Sequence, residues 1–369
     1  MNKEVSSDRQ IISMMTLYLL GNTLFGIGHM AKQDVWVSVL ISISLIAPVY
    51  ALYARIITLY PGYYLFEIMD EVFTPIISRL LTFFFSFYYF LTAAAITRTF
   101  SEFIHIDALP ETPDIVSLVM MGLVIIYAIK NGMEVLGRWA QLFNYILLGV
   151  VFAVSILSLT NANLENLRPL LYNDIKPVLQ VAIQGFFFSF GELVVFLSAV
   201  SFSKDRNKPY RVYFYSLLIG GGFVVLVVLR NLLVLGPQLV EQTHFTSYNV
   251  VGLIRIGKFL QRIESSVAMV FILAGFIKTA VCMFAALKGF QHIFRLEHYR
   301  PVAAPFGLLL IITCRLIFKD MMQIVDFLNY YNAFYSFPFQ LLLPVAVWIA
   351  AEIKHKKKIQ VTSATSSEG

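Results

Sequence analysis

The sequence predicts an all-α integral membrane protein of ten transmembrane helices, built as two inverted halves of five, with the first and sixth helices broken near mid-membrane. Three observations lead there. Hydrophobic residues make up 58% of the chain and charged ones 14%, with a mean hydropathy of +0.74, where a globular protein carries about 25% charged residues. Uncharged stretches run from Leu80 to Thr97 and from Ile115 to Ile129, close to the roughly 20 apolar residues that cross a bilayer. Finally, two apolar segments are interrupted by glycine at matching places in the two halves: Gly21, Gly26 and Gly28 in one, Gly185 and Gly191 in the other. Backbone freed at such breaks must be buried in protein or line a polar cavity.

By length and hydropathy the spans fall near 10–30, 35–58, 76–101, 114–130, 138–159, 178–200, 211–235, 264–289, 301–319 and 323–351. Lys319-Asp320 divides the last two. They form one transmembrane domain over 1–353, with repeat one at about 8–160 and repeat two at about 177–352, followed by a disordered polybasic tail, 354–369. An odd number of helices in each half places the halves in opposite orientations. Between Tyr60 and Pro75, the apolar residues Tyr64, Leu65, Ile68 and Met69 recur at helical spacing among Glu67, Asp70 and Glu71, which predicts a helix lying on the inner membrane surface. Val250, Val251, Ile254 and Ile256 predict a helical cover on the outer face.

Charge sets the orientation. Most of the 28 lysines and arginines fall on the side of the N-terminus, so both termini are expected in the cytoplasm. The net charge of +6 needs no nucleic acid: Lys354, Lys356, Lys357 and Lys358 follow the last span, where they anchor it among anionic headgroups. Cys282 and Cys314 both lie inside spans, which gives neither a disulfide framework nor metal-ligand spacing. The first apolar run is too long for a cleavable signal peptide and lacks a small-residue cleavage site. No triad, phosphate loop or metal cluster stands out, so no enzyme, metal or cofactor is expected.

The chemistry therefore lies at the breaks. An unwound first helix exposes N–H groups that hold a carboxylate and carbonyls that hold an ammonium or a cation. That combination suits an amino acid zwitterion. Asn22, Thr23, Gln184 and Ser189 add neutral donors and acceptors, with Phe188 in the second break. The competing account is that the glycines only allow close helix packing. Lys278 sits at the middle of the eighth span, where a lysine costs roughly 2.5–3.5 kcal/mol on insertion scales and marks a binding site or pathway. It is expected to replace a bound cation at the carbonyls around Gly21 to Gly26 and to act as a charge switch, with Glu192 as its natural partner; a permanent structural ion pair is the alternative. Tyr88 or Tyr89 is expected in the cavity wall. Arg98 with Glu102, and Arg262 with Glu264, are expected as structural pairs, while Arg230 and Arg315 are expected to snorkel towards the headgroups.

Several short words also carry a resemblance. Gln33-Asp34-Val35-Trp36, Tyr60-Pro61-Gly62 followed by Glu67, Asn166-Leu167-Arg168-Pro169, Phe188-Ser189-Phe190-Gly191-Glu192, Arg262-Ile263-Glu264 and Gly275-Phe276-Ile277-Lys278 occur in this order. Together they resemble the B subunit of spore germinant receptors, in the amino acid/polyamine/organocation transporter superfamily, whose fold is LeuT-like. The resemblance runs from about Ser7 to Lys354 and departs from the family pattern at Gly26-Ile27-Gly28-His29. It implies a germinant-sensing subunit of the spore inner membrane that works with an A-type membrane subunit and a C-type lipoprotein. Its task would be to bind a small nutrient such as an amino acid and start germination; the helix breaks match the region of ligand recognition. The residues themselves leave open a proton-coupled amino acid permease, or a water or ion pathway.

Overall fold

The computed structural model describes residues 6–24, 29–171, 174–202, 205, 207–253 and 263–366, and among these every regular element is helical. Gly26, Gly28 and Arg262 lie outside the described residues, as do Ile254 and Ile256. Among the described residues, nine segments are long and apolar enough to cross a membrane: Met30–Leu59, Pro75–Ile106, Asp114–Asn131, Met133–Asn161, Ile175–Ala199, Lys208–Gln242, Glu264–Phe294, Arg300–Ile317 and Met321–Lys356. They match the second to tenth expected spans. In the first expected span, residues 25–28 lie outside the described residues, and α1, Asp8–Gly21, is followed by a tight 3₁₀ turn over Asn22–Leu24. Its start is fixed by a capping box in which Ser7 and Gln10 each accept the other's backbone N–H.

Beyond α1 come α2 (Val35–Leu59), α3 (Leu65–Val72), α4 (Pro75–Phe103), α5 (Asp114–Asn131) and α6 (Met133–Ser158). The second half opens with α7 (Ile175–Gly185) and α8 (Phe196–Ala199), joined by helical turns of changing pitch, then α9 (Lys208–Ser216) and α10 (Gly222–Gln242). After α11 (Thr246–Gly252) come α12 (Ile263–Phe294) and α13 (Ala303–Ile317). The last span is divided into α14 (Met321–Asp326), α15 (Asn332–Phe337) and α16 (Leu343–Ser366) by two π turns. Helix α3 buries Leu65, Ile68 and Met69, and Glu67 accepts the backbone N–H of Tyr64 at 2.9 Å. Val250 and Val251 of α11 are buried.

The division between the last two spans falls at Phe318–Asp320, where Asp320 caps α14 by accepting the N–H of Gln323 at 3.0 Å. Two expectations are corrected. The tail does not leave the helix at 353: α16 continues through the basic run to Ser366, since extending an existing helix is far easier than starting one. Arg230 does not snorkel. It is buried in α10 and donates to Asn231 at 2.7 and 3.1 Å.

The sixth and eighth spans lie inside the bundle, while the ninth and tenth face outward for most of their length. Helix α1 is also central, packed on α6, α9 and α12. The sequence words that resemble a family turn out to fasten connections together. Gln33 donates to the carbonyl of Pro169 at 2.9 Å and Asp34 accepts the N–H of Leu171 at 2.9 Å, so two words far apart in the chain meet. Asn166 donates to the carbonyl of Leu233 at 2.9 Å, beside Gly236, whose φ of 74° puts it in the left-handed region that glycine favours.

Candidate functional site

The first and sixth helices change character at the same depth, but neither opens into extended chain among the described residues. The sixth passes from α-helix through a π turn, Phe186–Phe190, and a 3₁₀ turn, Gly191–Val195, before returning to α-helix at Phe196. Each change of pitch releases carbonyls from the regular ladder, and in an apolar interior they need other donors. Side chains supply them. Gln340 donates to the carbonyl of Phe187 at 3.0 Å, Asn22 to that of Ser189 at 3.2 Å, and Tyr50 to that of Phe190 at 2.8 Å. In the first helix, Thr23 donates to the carbonyl of Leu20 at 2.7 Å, and Ser247 donates to the carbonyl of Thr23 at 2.7 Å.

Lys278 projects from the middle of α12 into this junction. Its Nζ lies 2.7 Å from Oε2 of Glu192 and also donates to Oδ1 of Asn22. Lys278 is 2% exposed and Glu192 8%, so each needs the other: an uncompensated charge here costs several kcal/mol. The ammonium also stands 4.9 Å from the ring centre of Tyr18 and 5.4 Å from that of Phe188. The position expected for Lys278 is at the carbonyls around Gly21 to Gly26; its described partners are Asn22 and Glu192, and Phe25 and Gly26 lie outside the described residues. Side-chain hydroxyls and amides hold the carbonyls of Leu20, Thr23, Phe187, Ser189 and Phe190, and the lysine takes a side-chain amide and a carboxylate, which bind a full charge more strongly.

Beside this cluster lies a cavity of about 330 Å³. Gly21, Asn22, Phe188, Glu192 and Lys278 form its polar end, with Tyr88 and Thr92 of α4. The remainder is mostly apolar and aromatic, with Leu91, Phe100, Phe318, Phe327 and Tyr335, besides the polar Thr99, Asn332 and Ser336. The last span contributes residues that sequence reasoning missed. Asn332 is buried, with an amide nitrogen that has no partner among the described residues, and its Oδ1 accepts from Ser336 at 3.2 Å. Polar residues at π turns in a hydrophobic span are a usable signal for such a wall.

Of the other expected site residues that are described, Tyr88 lines the cavity and the rest lie outside its lining. A methyl at Gly185 would stand 2.8 Å from Oγ of Ser42, and one at Gly191 would overlap the amide of Gln340; both glycines allow close packing. Gln184 donates to the carbonyl of Asn329 at 2.8 Å, away from the cavity. Ser189 is fully buried and lends its carbonyl to Asn22. Tyr88 is in the wall, where it accepts from Gln340 at 2.8 Å, while Tyr89 bonds Ser198 at 3.1 Å outside it. Arg98 and Glu102 do pair, at 2.5 Å, and Arg98 reaches further, to Asp114 at 3.3 Å and to the carbonyls of Phe318 and Lys319 at 3.2 and 2.8 Å. Glu264 stands beside Gly252. Among the described residues, no group of His, Cys, Asp and Glu has the geometry to hold a metal ion.

Comparison with known proteins places this architecture. The profile of the family described as "Spore germination protein" matches residues 6–321. The spore germination protein KB of Bacillus subtilis is 30% identical over 363 residues, covering 97% of each chain. A putative spore germination protein of the same organism, YfkT, is 26% identical over 327 residues, 88% of each. Among solved structures, MhsT in complex with L-phenylalanine is similar with a TM-score of 0.61 at 13% identity, covering 96% of this chain and 100% of that one. An outward-open, substrate-bound Na+-coupled sialic acid symporter gives 0.60 at 11% identity, covering 90% and 77%. These structural likenesses establish a shared transporter fold.

Proposed function

The chain belongs to the spore germination protein family, and from that premise we propose that it is the nutrient-sensing subunit of a germinant receptor. In this reading it sits in the spore inner membrane with both termini on the core side, beside an A-type membrane subunit and a C-type lipoprotein. A small molecule such as an amino acid enters the central cavity and shifts the balance between two packings of the bundle; the partners read that shift.

The observation that carries this reading is the cavity at the irregular first and sixth helices, with Asn22, Glu192 and Lys278 at its polar end. Lys278 and Glu192 already balance each other, so the cavity has no strong demand for a net charge. A zwitterion suits it, because its ammonium and carboxylate fit a site that holds one group of each sign. The apolar remainder accommodates a side chain. A ligand moves such an equilibrium only by its difference in affinity for the two packings, so the groups that matter are those whose surroundings change between them.

The test is to delete this chain in spores and screen nutrients one at a time. Loss of germination to a defined nutrient, restored by the intact gene, supports the reading; a deletion strain that responds to every nutrient as the parent does rejects it. Uptake of that nutrient by the chain alone, in proteoliposomes, distinguishes a permease from a sensor.

A further inference from the structure

A second cavity, about 510 Å³, lies away from the first, where α3 meets the start of α4 and the end of α12. It is on the face of the bundle where Lys354, near the chain end, donates to the carbonyl of Glu71. Arg79, Lys288 and Arg295 line it together with Glu67, Asp70 and His292. The carboxylates are already engaged. Asp70 takes Ser78 on one oxygen at 2.5 Å and His292 on the other at 2.8 Å, and Glu67 caps the N-terminus of α3. The guanidinium groups of Arg79 and Arg295 have no carboxylate partner among the described residues. Three basic side chains, Arg79, Lys288 and Arg295, thus line the cavity against two carboxylates, Glu67 and Asp70, an excess of positive charge that favours an anion.

Gln291 adds a second requirement. It is 5% exposed, and its amide nitrogen donates to the carbonyls of Leu296 and Glu297, each at 3.1 Å. Those two bonds fix which way the amide faces. Its oxygen is left buried in the cavity wall with no partner among the described residues, and a buried acceptor without a donor is costly. A ligand that completes the site therefore carries an anionic group for the arginines and a hydroxyl for Gln291. The surroundings favour a membrane source. Arg79 stands between Ile76 and Leu80, which are 82% and 54% exposed, and Arg295 follows Phe294, which is 59% exposed. Both arginines thus mark the level at which the apolar, lipid-facing surface ends, where basic pockets between helices bind lipid headgroups.

We propose that this cavity binds a phosphate ester bearing a free hydroxyl, supplied by the headgroup of an anionic glycerophospholipid. The phosphate lies between Arg79 and Arg295, and the headgroup hydroxyl donates to Oε1 of Gln291. An occupied site would tie α3 to the end of α12, the helix that bears Lys278, and so make the bundle sensitive to lipid composition.

The full-length chain, in phosphatidylcholine nanodiscs, would be titrated with phosphatidylglycerol, with phosphatidylmethanol (which lacks the hydroxyl) and with soluble glycerol 3-phosphate, and bound ligand counted by native mass spectrometry. The expected result is retention of phosphatidylglycerol, about fivefold weaker retention of phosphatidylmethanol, and about thirtyfold weaker binding in the R79Q/R295Q variant. Glycerol 3-phosphate bound with the same arginine dependence, without retention of the lipid, keeps the phosphate-ester site and assigns it a soluble ligand. The proposal is overturned if R79Q/R295Q binds as the wild type does, if the wild type retains none of the three, or if the loss appears instead on replacing Lys354, Lys356, Lys357 and Lys358 by glutamine. It is also overturned if both lipids bind equally. Both arginines are exposed, so the decisive variant leaves the core intact, and none of these outcomes depends on the nutrient reading of the central cavity.

Discussion

Lys278 and Arg98 are both buried cations on adjacent, closely packed helices, yet they are satisfied in different ways. Arg98 is held by two carboxylates, Glu102 and Asp114, and by two backbone carbonyls of the turn between α13 and α14. All of those partners belong to one end of the bundle, and the planar guanidinium bonds several of them at once. Lys278 has a single carboxylate, Glu192, and one amide, Asn22, each from a helix whose pitch is irregular at that point. We propose that the overdetermined ion clamps, and that the ion with few partners, on two segments of irregular pitch, switches. The charge alone does not separate the two roles. The number of partners and the regularity of the backbone that carries them do.

The largest expected effect breaks the Lys278 side of this comparison. Glu192→Gln leaves the ammonium without a counter-charge in the core, which costs about 3–5 kcal/mol and should lower the thermal midpoint of the detergent-solubilised protein by several degrees. The double variant Lys278→Met/Glu192→Leu removes both charges and should recover most of that stability while still failing to support the nutrient response. If the double variant germinates normally, the pair is structural and the switching role is lost. Arg98→Ala should be nearly as destabilising, at about 3 kcal/mol, and should loosen Phe318 over the cavity. Its signature is a weakened response to all nutrients with their rank order unchanged; a changed rank order would mean that Arg98 contacts the ligand.

Smaller effects sharpen the contrast between wall and scaffold. Asn332→Leu removes a donor from the cavity and should shift the half-maximal nutrient concentration by about fivefold to tenfold, through one hydrogen bond, with little loss of stability. Gly185→Ala should do the reverse: about 1–3 kcal/mol of overpacking against Ser42, seen in thermal unfolding, and no change in nutrient preference. Should Gly185→Ala alter which nutrients act while unfolding as the wild type does, the packing role assigned to that glycine is wrong.

The comparison also shows why the second cavity escaped a reading of the chain. Arg79 sits in a separate segment from Gln291 and Arg295, with no motif linking them. Glu67 and Asp70 look, in sequence, like ordinary polar residues of a surface helix. The positive balance emerges only once the fold gathers Arg79, Lys288 and Arg295 around Glu67 and Asp70 in one cavity. The two glycine-interrupted segments that the sequence singled out both reach the cavity, but the sequence could not divide their residues into wall and packing. Gly21 and Gly185 are the same residue type in the same kind of context; one lies in the cavity wall and the other touches Ser42.

The sequence by itself determined the helical class, the positions of most spans and the depth of Lys278 and Glu192. The reason is thermodynamic: hydrocarbon penalises every unpaired backbone group and every central charge, so composition along the chain directly reports what can reside there. Only the tertiary structure decided that Lys278 meets Glu192 and Asn22, that the sixth helix changes pitch without unwinding, and that Asn332 faces the cavity. Those outcomes depend on the rotation of one helix against another. That angle is set by packing among side chains far apart in the chain, and no local pattern encodes it.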